Sequence, residues 1–255
     1  MAFLQIQFFS EVLDLDVSVN AILPQSNQGI GIEASDQEEL PKVLYLLHGY
    51  SDDHTTWMRR TSVERYAAAR NLAVIMPAVN HSFYFNEMNG NKYWDYVSEE
   101  LPVIMQRFLK ISDKPEDTYA AGLSMGGYGS MRLALTYPER FAAAASFSGA
   151  VDVQAILDEH KEDSIVRRLF GSYQNIRGTD ADLYHLMEKN AGAGNKPRLY
   201  VSCGTDDFLY ANHKEFVPAL KSNNWNVTSH EEPGAIHEWG FWDKEIKKFI
   251  DFIYE

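Results

Sequence analysis

The sequence predicts an α/β domain with a mostly parallel central sheet and helices on both of its faces. Three observations indicate this fold class. The first is a series of short apolar runs that end at Gly, Pro or Ser, as is typical of strands buried on both faces. The second is the helical spacing of apolar residues between those runs, and the third is a pair of alternating stretches before them.

The alternating pair opens the chain. Residues 3–10 and 13–23 mix β-branched and aromatic residues with polar ones, as half-exposed antiparallel strands do. The polar, Gly-containing residues 24–41 predict a loop. The buried-strand candidates then follow at residues 42–47, 72–76, 118–123, 142–147 and 198–203, with 225–231 as a weaker last strand.

Helical patterns occupy the segments between these strands. Helices are predicted at residues 93–110, 124–137 and 213–221, and the C-terminal helix has apolar residues at Trp242, Ile246, Phe249, Ile250 and Ile253. Strands that alternate with helices imply right-handed crossovers, and ligands then bind at the carboxyl ends of the strands. Residues 151–196 are too long for a simple crossover, so we interpret them as a cap-like insertion over those ends, within a single domain of residues 1–255.

Composition and charge restrict the classes of partner. The 255 residues are 45% hydrophobic and 23% charged, with a formal net charge of −13. This charge repels polyanions, so we expect neither nucleic acid nor an anionic membrane as a partner. The N-terminus lacks a signal-peptide pattern, no apolar run is long enough to cross a bilayer, and Cys203 is the only cysteine. We therefore expect a cytoplasmic protein, and the sequence leaves homo-oligomerisation open.

One short motif indicates a nucleophile. Residues 122–126 read Gly-Leu-Ser-Met-Gly, a G-x-S-x-G pattern between a predicted strand and a predicted helix. In this context the serine lies in a tight, strained turn that projects its Oγ above the sheet, and the glycines avoid collisions with neighbouring backbone. The helix N-terminus favours developing negative charge. Ser124 is therefore the candidate nucleophile, whereas neither a P-loop nor a dinucleotide fingerprint fits this turn.

A serine nucleophile needs a base and a carboxylate that orients the base. On this kind of fold their chain order is Ser, then Asp or Glu, then His. Asp206 and Asp207 follow the next-to-last predicted strand, and His237 follows the last one. His230, within the last strand, is an alternative base. The residues alone leave Asp206 open beside Asp207, and His230 open beside His237.

Four motifs together resemble a known family: LYLLHGYSDDHTTW, AGLSMGGYGSMRLAL, CGTDDFLY and HEWGFW, in this order. They resemble the esterase D-like branch of the α/β-hydrolases, and within it the bacterial tributyrin esterases most. That branch also contains S-formylglutathione hydrolases, feruloyl and acetyl-xylan esterases, and mycolyl transferases. The resemblance spans nearly the whole chain and implies the α/β-hydrolase fold.

The resemblance also implies roles for particular residues. By position in the family motifs, Ser124 is the nucleophile, Asp207 is the acid of the G-x-x-D motif, and His237 is the base that opens the last helix. The family's oxyanion hole consists of two backbone N–H groups, which correspond here to Tyr50 and Met125. Neither a cofactor nor a metal is implied.

Several other residues have simpler interpretations. His48 is expected to be a structural hydrogen bonder, and Cys203 a buried small side chain. The cluster Asp52, Asp53 and His54 is expected to form a turn and helix cap rather than a metal site. Trp57 is expected in the core, with a place in the cleft wall as the alternative.

The predicted function is that of a serine carboxylesterase acting on small, short-chain acyl esters. The insertion has few large apolar residues that could form a long acyl channel. They are chiefly Ile156, Leu157, Ile165, Val166, Leu169 and Phe170. Feruloyl or acetyl-xylan esterase activity remains an alternative, as do acyl transfer to an alcohol and a catalytically silent binding module. S-formylglutathione hydrolysis is a further alternative, disfavoured because HGYSDD stands where those enzymes have a cysteine-containing loop.

Overall fold

The computed structural model describes residues 1–25, 39–88, 90–160, 164–172 and 174–255, and its centre is one twisted sheet. The strand order is β1-β2-β4-β3-β5-β6-β7-β8, in which β1–β2 and β2–β4 are antiparallel and all other pairs are parallel. The strands are β1 Ala2–Ser10, β2 Leu15–Leu23, β3 Lys42–Leu47, β4 Leu72–Pro77, β5 Thr118–Leu123, β6 Ala143–Phe147, β7 Arg198–Gly204 and β8 Val227–Glu232. The predicted fold class is confirmed.

The strand bounds follow the sequence patterns closely. The runs 42–47 and 118–123 are β3 and β5 without a change, and the other three buried runs differ from their strands by one residue at one end. The weaker candidate at 225–231 is β8, an edge strand whose residues are largely exposed, which explains its weak apolar pattern. Most of the loop predicted at 24–41 lies outside the described residues.

Helices cover both faces of the sheet. They are α1 Thr56–Arg60, α2 Val63–Ala68, α3 Tyr93–Asp95, α4 Leu101–Phe108, α5 Met125–Thr136, α6 Val153–Glu159, α7 Ser164–Phe170, α8 Leu183–Lys189, α9 Tyr210–Ser222 and α10 Trp239–Phe252. A π-helical turn, Tyr96–Glu100, joins α3 to α4, so the helix predicted at 93–110 is present with a local change of pitch. The sequence analysis missed α1 and α2, which are too short to show a clear apolar period.

The side chains of β3 show how the core is divided. Val43, Tyr45 and Leu47 belong to the apolar cluster that includes α5 and α9, whereas Leu44 and Leu46 belong to the cluster with α2 and α10. Successive side chains of a strand point to opposite faces, so a strand buried on both sides must be apolar throughout. Within the described residues, none of the helices combines the length and apolarity needed to cross a bilayer.

The segment 151–196 contains α6, α7 and α8. Of the six apolar residues that the sequence singled out in this segment, four are buried against the main core, namely Leu157, Val166, Leu169 and Phe170. Ile156 and Ile165 are only partly buried. The described part of this segment is therefore anchored to the sheet domain by most of its apolar side chains.

The crossing from β5 into α5 depends on two glycines. A Cβ atom at Gly122 would lie 2.3 Å from the carbonyl oxygen of Gly126, and a Cβ at Gly126 would lie 2.3 Å from that of Leu47. Real Cβ atoms do not approach backbone oxygen so closely. The Leu47 carbonyl cannot easily move away, because it accepts a hydrogen bond of 3.1 Å from the Trp57 indole. The first turn of α5 therefore lies directly against the end of β3.

We expect Gly126→Ala to lower the free energy of unfolding by about 1–3 kcal/mol or more, because the added methyl overpacks a rigid backbone contact. The matched control is Gly194→Ala, where an added Cβ meets nothing within 4 Å. The control should change stability by less than about 0.5 kcal/mol. Urea unfolding of both variants measures this difference, and equal midpoints would show that the close approach is not required.

Candidate active site

Ser124 occupies the turn between β5 and α5 with φ 52° and ψ −118°, a strained conformation for a residue other than glycine. The turn is held by three backbone hydrogen bonds. The Ser124 N–H donates to Phe147 O at 2.9 Å, and its carbonyl accepts from the N–H groups of Tyr128 and Ala150. The side chain is partly exposed at the N-terminus of α5. This is the strand–turn–helix geometry that the G-x-S-x-G motif predicts.

Asp207 and His237 form a close pair. The His237 Nδ1 lies 2.9 Å from Asp207 Oδ2 and 3.1 Å from Oδ1. Asp207 follows β7 and its side chain is fully buried, whereas His237 follows β8 and its side chain is 18% exposed. The carboxylate therefore holds one ring nitrogen and leaves Nε2 for another partner.

The Asp207 carboxylate stays ionised because of its hydrogen bonds. Burial by itself raises the pKa of Asp207, but hydrogen bonds from His237, from the Leu209 N–H and from the Ser148 hydroxyl outweigh burial, so the pKa lies below its usual value. The Leu209 N–H reaches Oδ1 at 2.9 Å. A buried, ionised carboxylate bonded to Nδ1 is the arrangement that fixes an imidazole tautomer and stabilises its protonated form.

The alternatives for the acid and the base are found elsewhere. Asp206 is exposed, and its carboxylate accepts a hydrogen bond from the neighbouring Thr205 hydroxyl. His230 lies on β8, with its Nδ1 3.1 Å from the buried Glu245 carboxylate of α10. Only Asp207 and His237 of the four candidates are joined to each other by hydrogen bonds within the described residues.

The pocket that Ser124 lines adjoins the Asp207–His237 pair through Phe208. Ser124 lines this pocket together with Phe208, whose ring lies 4.6 Å from the His237 ring, centroid to centroid. Among the described residues, no hydrogen bond joins the Ser124 hydroxyl to His237. Bonds of this kind are often long before a substrate binds and tighten in the complex. The elements therefore bring the serine and the histidine to the same end of the sheet.

Two backbone N–H groups near Ser124 have no acceptor among the described residues, those of Tyr50 and Met125. Met125 is the first residue of α5, where an N–H has no partner within the helix. Tyr50 follows Gly49, whose Cα lies so close to Ser124 that an added Cβ would be 3.7 Å from Ser124 Cβ. These are the two groups that the resemblance assigns to an oxyanion hole.

His48 controls the peptide group between Gly49 and Tyr50. Its Nδ1 lies 2.7 Å from Gly49 O, and its Nε2 accepts a hydrogen bond of 3.1 Å from the Val79 N–H. Burial lowers the pKa of His48 to about 4, so the ring is neutral at pH 7 and Nδ1 carries the proton. Because the carbonyl and N–H of a trans peptide point in opposite directions, holding Gly49 O also orients the Tyr50 N–H. This agrees with the structural role expected for His48.

The remaining sequence candidates have structural environments. The Asp53 carboxylate accepts hydrogen bonds from Thr55 N–H and from the hydroxyls of Thr55 and Thr56, in the turn that leads into α1. Across the described residues, no group of three or more His, Cys, Asp or Glu is arranged to hold a metal ion. Trp57 is fully buried in the core. Cys203 is also buried, and burial raises the pKa of its thiol to about 12.

The pocket has a volume of about 430 Å³, and its walls come from the insertion and from the segments that follow five strands. Ile156 and Ile165 of the insertion line it, together with residues that follow β3, β4, β5, β6 and β7. The described residues that line it are Tyr50, Phe83, Ser124, Ala150, Ala155, Ile156, Glu159, His160, Ile165, Phe208, Leu209 and Asn212. The walls are therefore mainly apolar.

The sequence analysis missed two aromatic wall residues. Phe83 lies in the loop after β4 with φ 50°, and its N–H lies 3.2 Å from the Met125 sulfur. Phe208 directly follows Asp207 and is 75% exposed. Both residues follow the carboxyl end of a strand, which is the positional signal that could have identified them.

The family model Esterase, described as "Putative esterase", matches residues 10–250. An acetyl esterase from Caldicellulosiruptor saccharolyticus is 30% identical over 262 residues, which cover 99% of this chain and 98% of the relative.

Two solved structures from Staphylococcus aureus are similar over the whole chain. One is the fluorophosphonate-binding serine hydrolase F with substrate bound, which has a TM-score of 0.89, 36% identity, and coverage of 100% of this chain and 98% of the other. The other is an S-formylglutathione hydrolase apoenzyme, with a TM-score of 0.86, 36% identity, and coverage of 100% and 99%. The extent of the family match and of these similarities shows that this chain belongs to the esterase family and is a carboxylic ester hydrolase of the α/β-hydrolase fold.

Proposed function

We propose that this chain is a serine carboxylesterase that hydrolyses short-chain acyl esters with Ser124 as nucleophile, His237 as base and Asp207 as orienting acid. The observation that carries the proposal is the buried Asp207 carboxylate on His237 Nδ1, beside the pocket that the strained Ser124 lines together with Phe208. The proposal needs neither a metal nor a cofactor, because acyl transfer requires only a nucleophile, a base and an oxyanion site.

The reaction proceeds in two steps. His237 Nε2 takes the Ser124 proton as Oγ attacks the ester carbonyl, and Asp207 stabilises the imidazolium that forms. His237 then donates that proton to the departing alcohol, which leaves an acyl-enzyme. Water attacks the acyl-enzyme with His237 again as base, and the acid and free Ser124 are regenerated.

The oxyanion of each tetrahedral intermediate is stabilised by the N–H groups of Tyr50 and Met125. Each such donor contributes on the order of 10²–10³ in rate. Neither N–H has an acceptor among the described residues, so neither must break a protein hydrogen bond to bind the substrate oxygen. The N-terminus of the twelve-residue helix α5 adds positive potential at the same point.

The pocket walls support a small, uncharged ester as substrate. Four of the six large apolar residues named for the insertion are buried in the core, and only the other two, Ile156 and Ile165, line the pocket. None of the described lining residues is Lys or Arg, and Glu159 is an acid. The similarity to an acetyl esterase and the likeness of the motifs to tributyrin esterases support the same short acyl range.

S-formylglutathione hydrolase is a second candidate function. It is favoured by the 36% identical Staphylococcus aureus structure of that description, which matches nearly end to end although the loop after β3 lacks a cysteine. A glutathione thioester carries two carboxylates, for which the described pocket walls provide no Lys or Arg. We therefore consider a neutral ester the better-supported substrate. The hydrolysis rates of S-formylglutathione and of a neutral short-chain ester, measured at equal concentration, distinguish the two functions.

The cellular setting of this reaction is also proposed. The single cysteine, Cys203, is buried, which is compatible with a reducing compartment, and we propose the cytoplasm. We further propose that the acyl acceptor is water rather than a second alcohol, and that the partner is a small molecule rather than nucleic acid or a membrane. Product ratios measured with added methanol or glycerol test the choice of acceptor.

Ser124→Ala should abolish ester hydrolysis with a loss of roughly 10⁴–10⁶ in kcat, because the triad residues act as a unit. The variant should fold, since the Ser124 side chain is partly exposed and makes no hydrogen bond within the described residues. A fluorophosphonate probe should label the wild type and not this variant. Retention of a tenth of wild-type activity would exclude Ser124 as nucleophile, and an unlabelled wild type would favour a silent binding module.

The two candidate pairs should respond unequally to substitution. Asp207→Asn and His237→Ala should lower kcat by roughly 10³-fold or more, because they remove the orienting acid and the base. Asp206→Asn and His230→Ala are the matched controls and should retain most activity, since neither side chain is hydrogen-bonded to Asp207 or His237 within the described residues. An inactive His230→Ala beside an active His237→Ala would reverse the assignment of the base.

The rate should fall for long acyl chains. A channel that buried every added methylene would gain about 0.8 kcal/mol, or about fourfold in kcat/KM, for each carbon. We expect kcat/KM of p-nitrophenyl esters to be highest between about two and six carbons, because the insertion offers little further apolar surface. A steady rise through ten or twelve carbons would contradict this, and a marked preference for feruloyl over butyryl esters would indicate a phenolic substrate instead.

A further inference from the structure

Trp242 lies in the first turn of α10, directly behind His237. Its indole ring meets the His237 imidazole edge-on, with the ring centroids 4.8 Å apart and the planes at 87°. The Phe208 ring packs against the same imidazole, with the ring centroids 4.6 Å apart. The plane of His237 is therefore set by two aromatic contacts in addition to its bond to Asp207.

The indole itself is held by one hydrogen bond. Its Nε1–H donates to Ser148 Oγ at 3.1 Å, and both residues are buried. An indole N–H is a donor only, so a buried tryptophan without an acceptor would be destabilised. Ser148 therefore determines the orientation of the ring that lies against His237.

Ser148 adopts an unusual conformation at the end of β6. It is fully buried and has φ 45°, in the left-handed region that residues other than glycine rarely adopt. Its N–H donates to Ser202 O at 2.7 Å, which keeps the backbone in this position. A strained, buried non-glycine residue persists where its surroundings hold it, and such positions cluster at functional sites.

The Ser148 hydroxyl also has an electrostatic effect on the acid. Burial raises the pKa of Asp207, whereas hydrogen bonds from His237, from the Leu209 N–H and from the Ser148 hydroxyl lower it below its usual value. This effect agrees with a role for Ser148 at the Asp207–His237 pair, but the position of the indole ring is the observation on which that role depends.

We propose that Ser148 and Trp242 are positioning residues for the reaction, a hydrogen-bonded pair that holds the imidazole plane of His237. The bond from the indole N–H to Ser148 Oγ fixes the indole ring, and the indole ring packs edge-on against the imidazole. This inference depends on the function proposed above, because it assigns the pair a role only through His237.

The pair acts on orientation and not on substrate binding. Neither Ser148 nor Trp242 is among the described residues that line the pocket. Substrate contacts should therefore be unchanged when the pair is broken, whereas proton transfer by His237 should be slower. Small misplacements of a reacting group cost rate because the reacting atoms must lie within a narrow range of distance and angle.

The central experiment replaces Ser148 by glycine. Ser148→Gly removes the hydroxyl and places at this position the residue that tolerates φ 45° best. We expect kcat for p-nitrophenyl acetate to fall about 10- to 100-fold with KM changed less than about threefold. Ser148→Ala also removes the hydroxyl but retains the backbone strain, so it should match Ser148→Gly in kcat while being less stable in urea.

A second variant tests the same hydrogen bond from its other end. Trp242→Phe keeps an aromatic ring beside His237 but lacks the Nε1–H, and it should lower kcat to a similar extent. The double variant Ser148→Gly/Trp242→Phe should lose little more than either single variant, because both changes break the same hydrogen bond. The control is Ser146→Ala on β6, the strand that Ser148 follows, because the buried Ser146 hydroxyl has no hydrogen-bond partner among the described residues.

The outcomes separate this inference from the proposed function. Unchanged kcat in folded Ser148→Gly or folded Trp242→Phe, beside an inactive Ser124→Ala, would overturn the positioning role and leave the esterase assignment intact. A rate loss in Ser148→Ala that Ser148→Gly restores would show that backbone strain matters and the hydroxyl does not, which also overturns it. Full activity of Ser124→Ala would refute the proposed function itself.

Discussion

The close approach of α5 to the ends of β3 and β5 is the constraint on which the rest of the site depends. With no Cβ at Gly122 and Gly126, the first turn of the helix lies against the Leu47 carbonyl, and the chain turns sharply enough to give Ser124 a φ of 52°. The same contact brings the loop that starts at His48 beside the nucleophile. One steric condition therefore places both the Ser124 hydroxyl and the Tyr50 N–H.

Burial produces different charge states at neighbouring positions of this site. His48 is buried without a carboxylate on its ring, and burial lowers its pKa to about 4, so it serves as a neutral hydrogen-bonding group. Asp207 is as well buried, yet its hydrogen bonds from His237, Leu209 and Ser148 lower its pKa. A buried group remains charged only where its hydrogen bonds stabilise the charged form strongly enough to outweigh burial. The proposed reaction requires this contrast, because only an ionised Asp207 can stabilise the His237 imidazolium.

The insertion 151–196 joins the core to the pocket through two kinds of apolar residue. Leu157, Val166 and Leu169 are buried and hold the segment to the sheet domain, whereas Ile156 and Ile165 line the pocket. Adjacent residues of α6 and α7 can therefore lie in the core and in the pocket wall, because neighbouring side chains of a helix point about 100° apart. Substitutions at Ile156 or Ile165 should therefore change the size of the pocket with little loss of core packing.

The sequence by itself determined the sheet, the parallel strands and the candidate nucleophile. Apolar runs such as Lys42–Leu47 and the glycines around Ser124 are local signals, set by burial on two faces and by steric exclusion. The pairing of Asp207 with His237, in preference to Asp206 and His230, could not be derived from residue types. The two aspartates are adjacent and the two histidines lie within and just after β8, so which side chains face each other depends on the loop conformations after β7 and β8. Phe83, Phe208 and the Ser148–Trp242 bond belong to loops and helices far apart in the chain. Only tertiary packing decided those contacts, since no local propensity relates residues separated by a whole crossover.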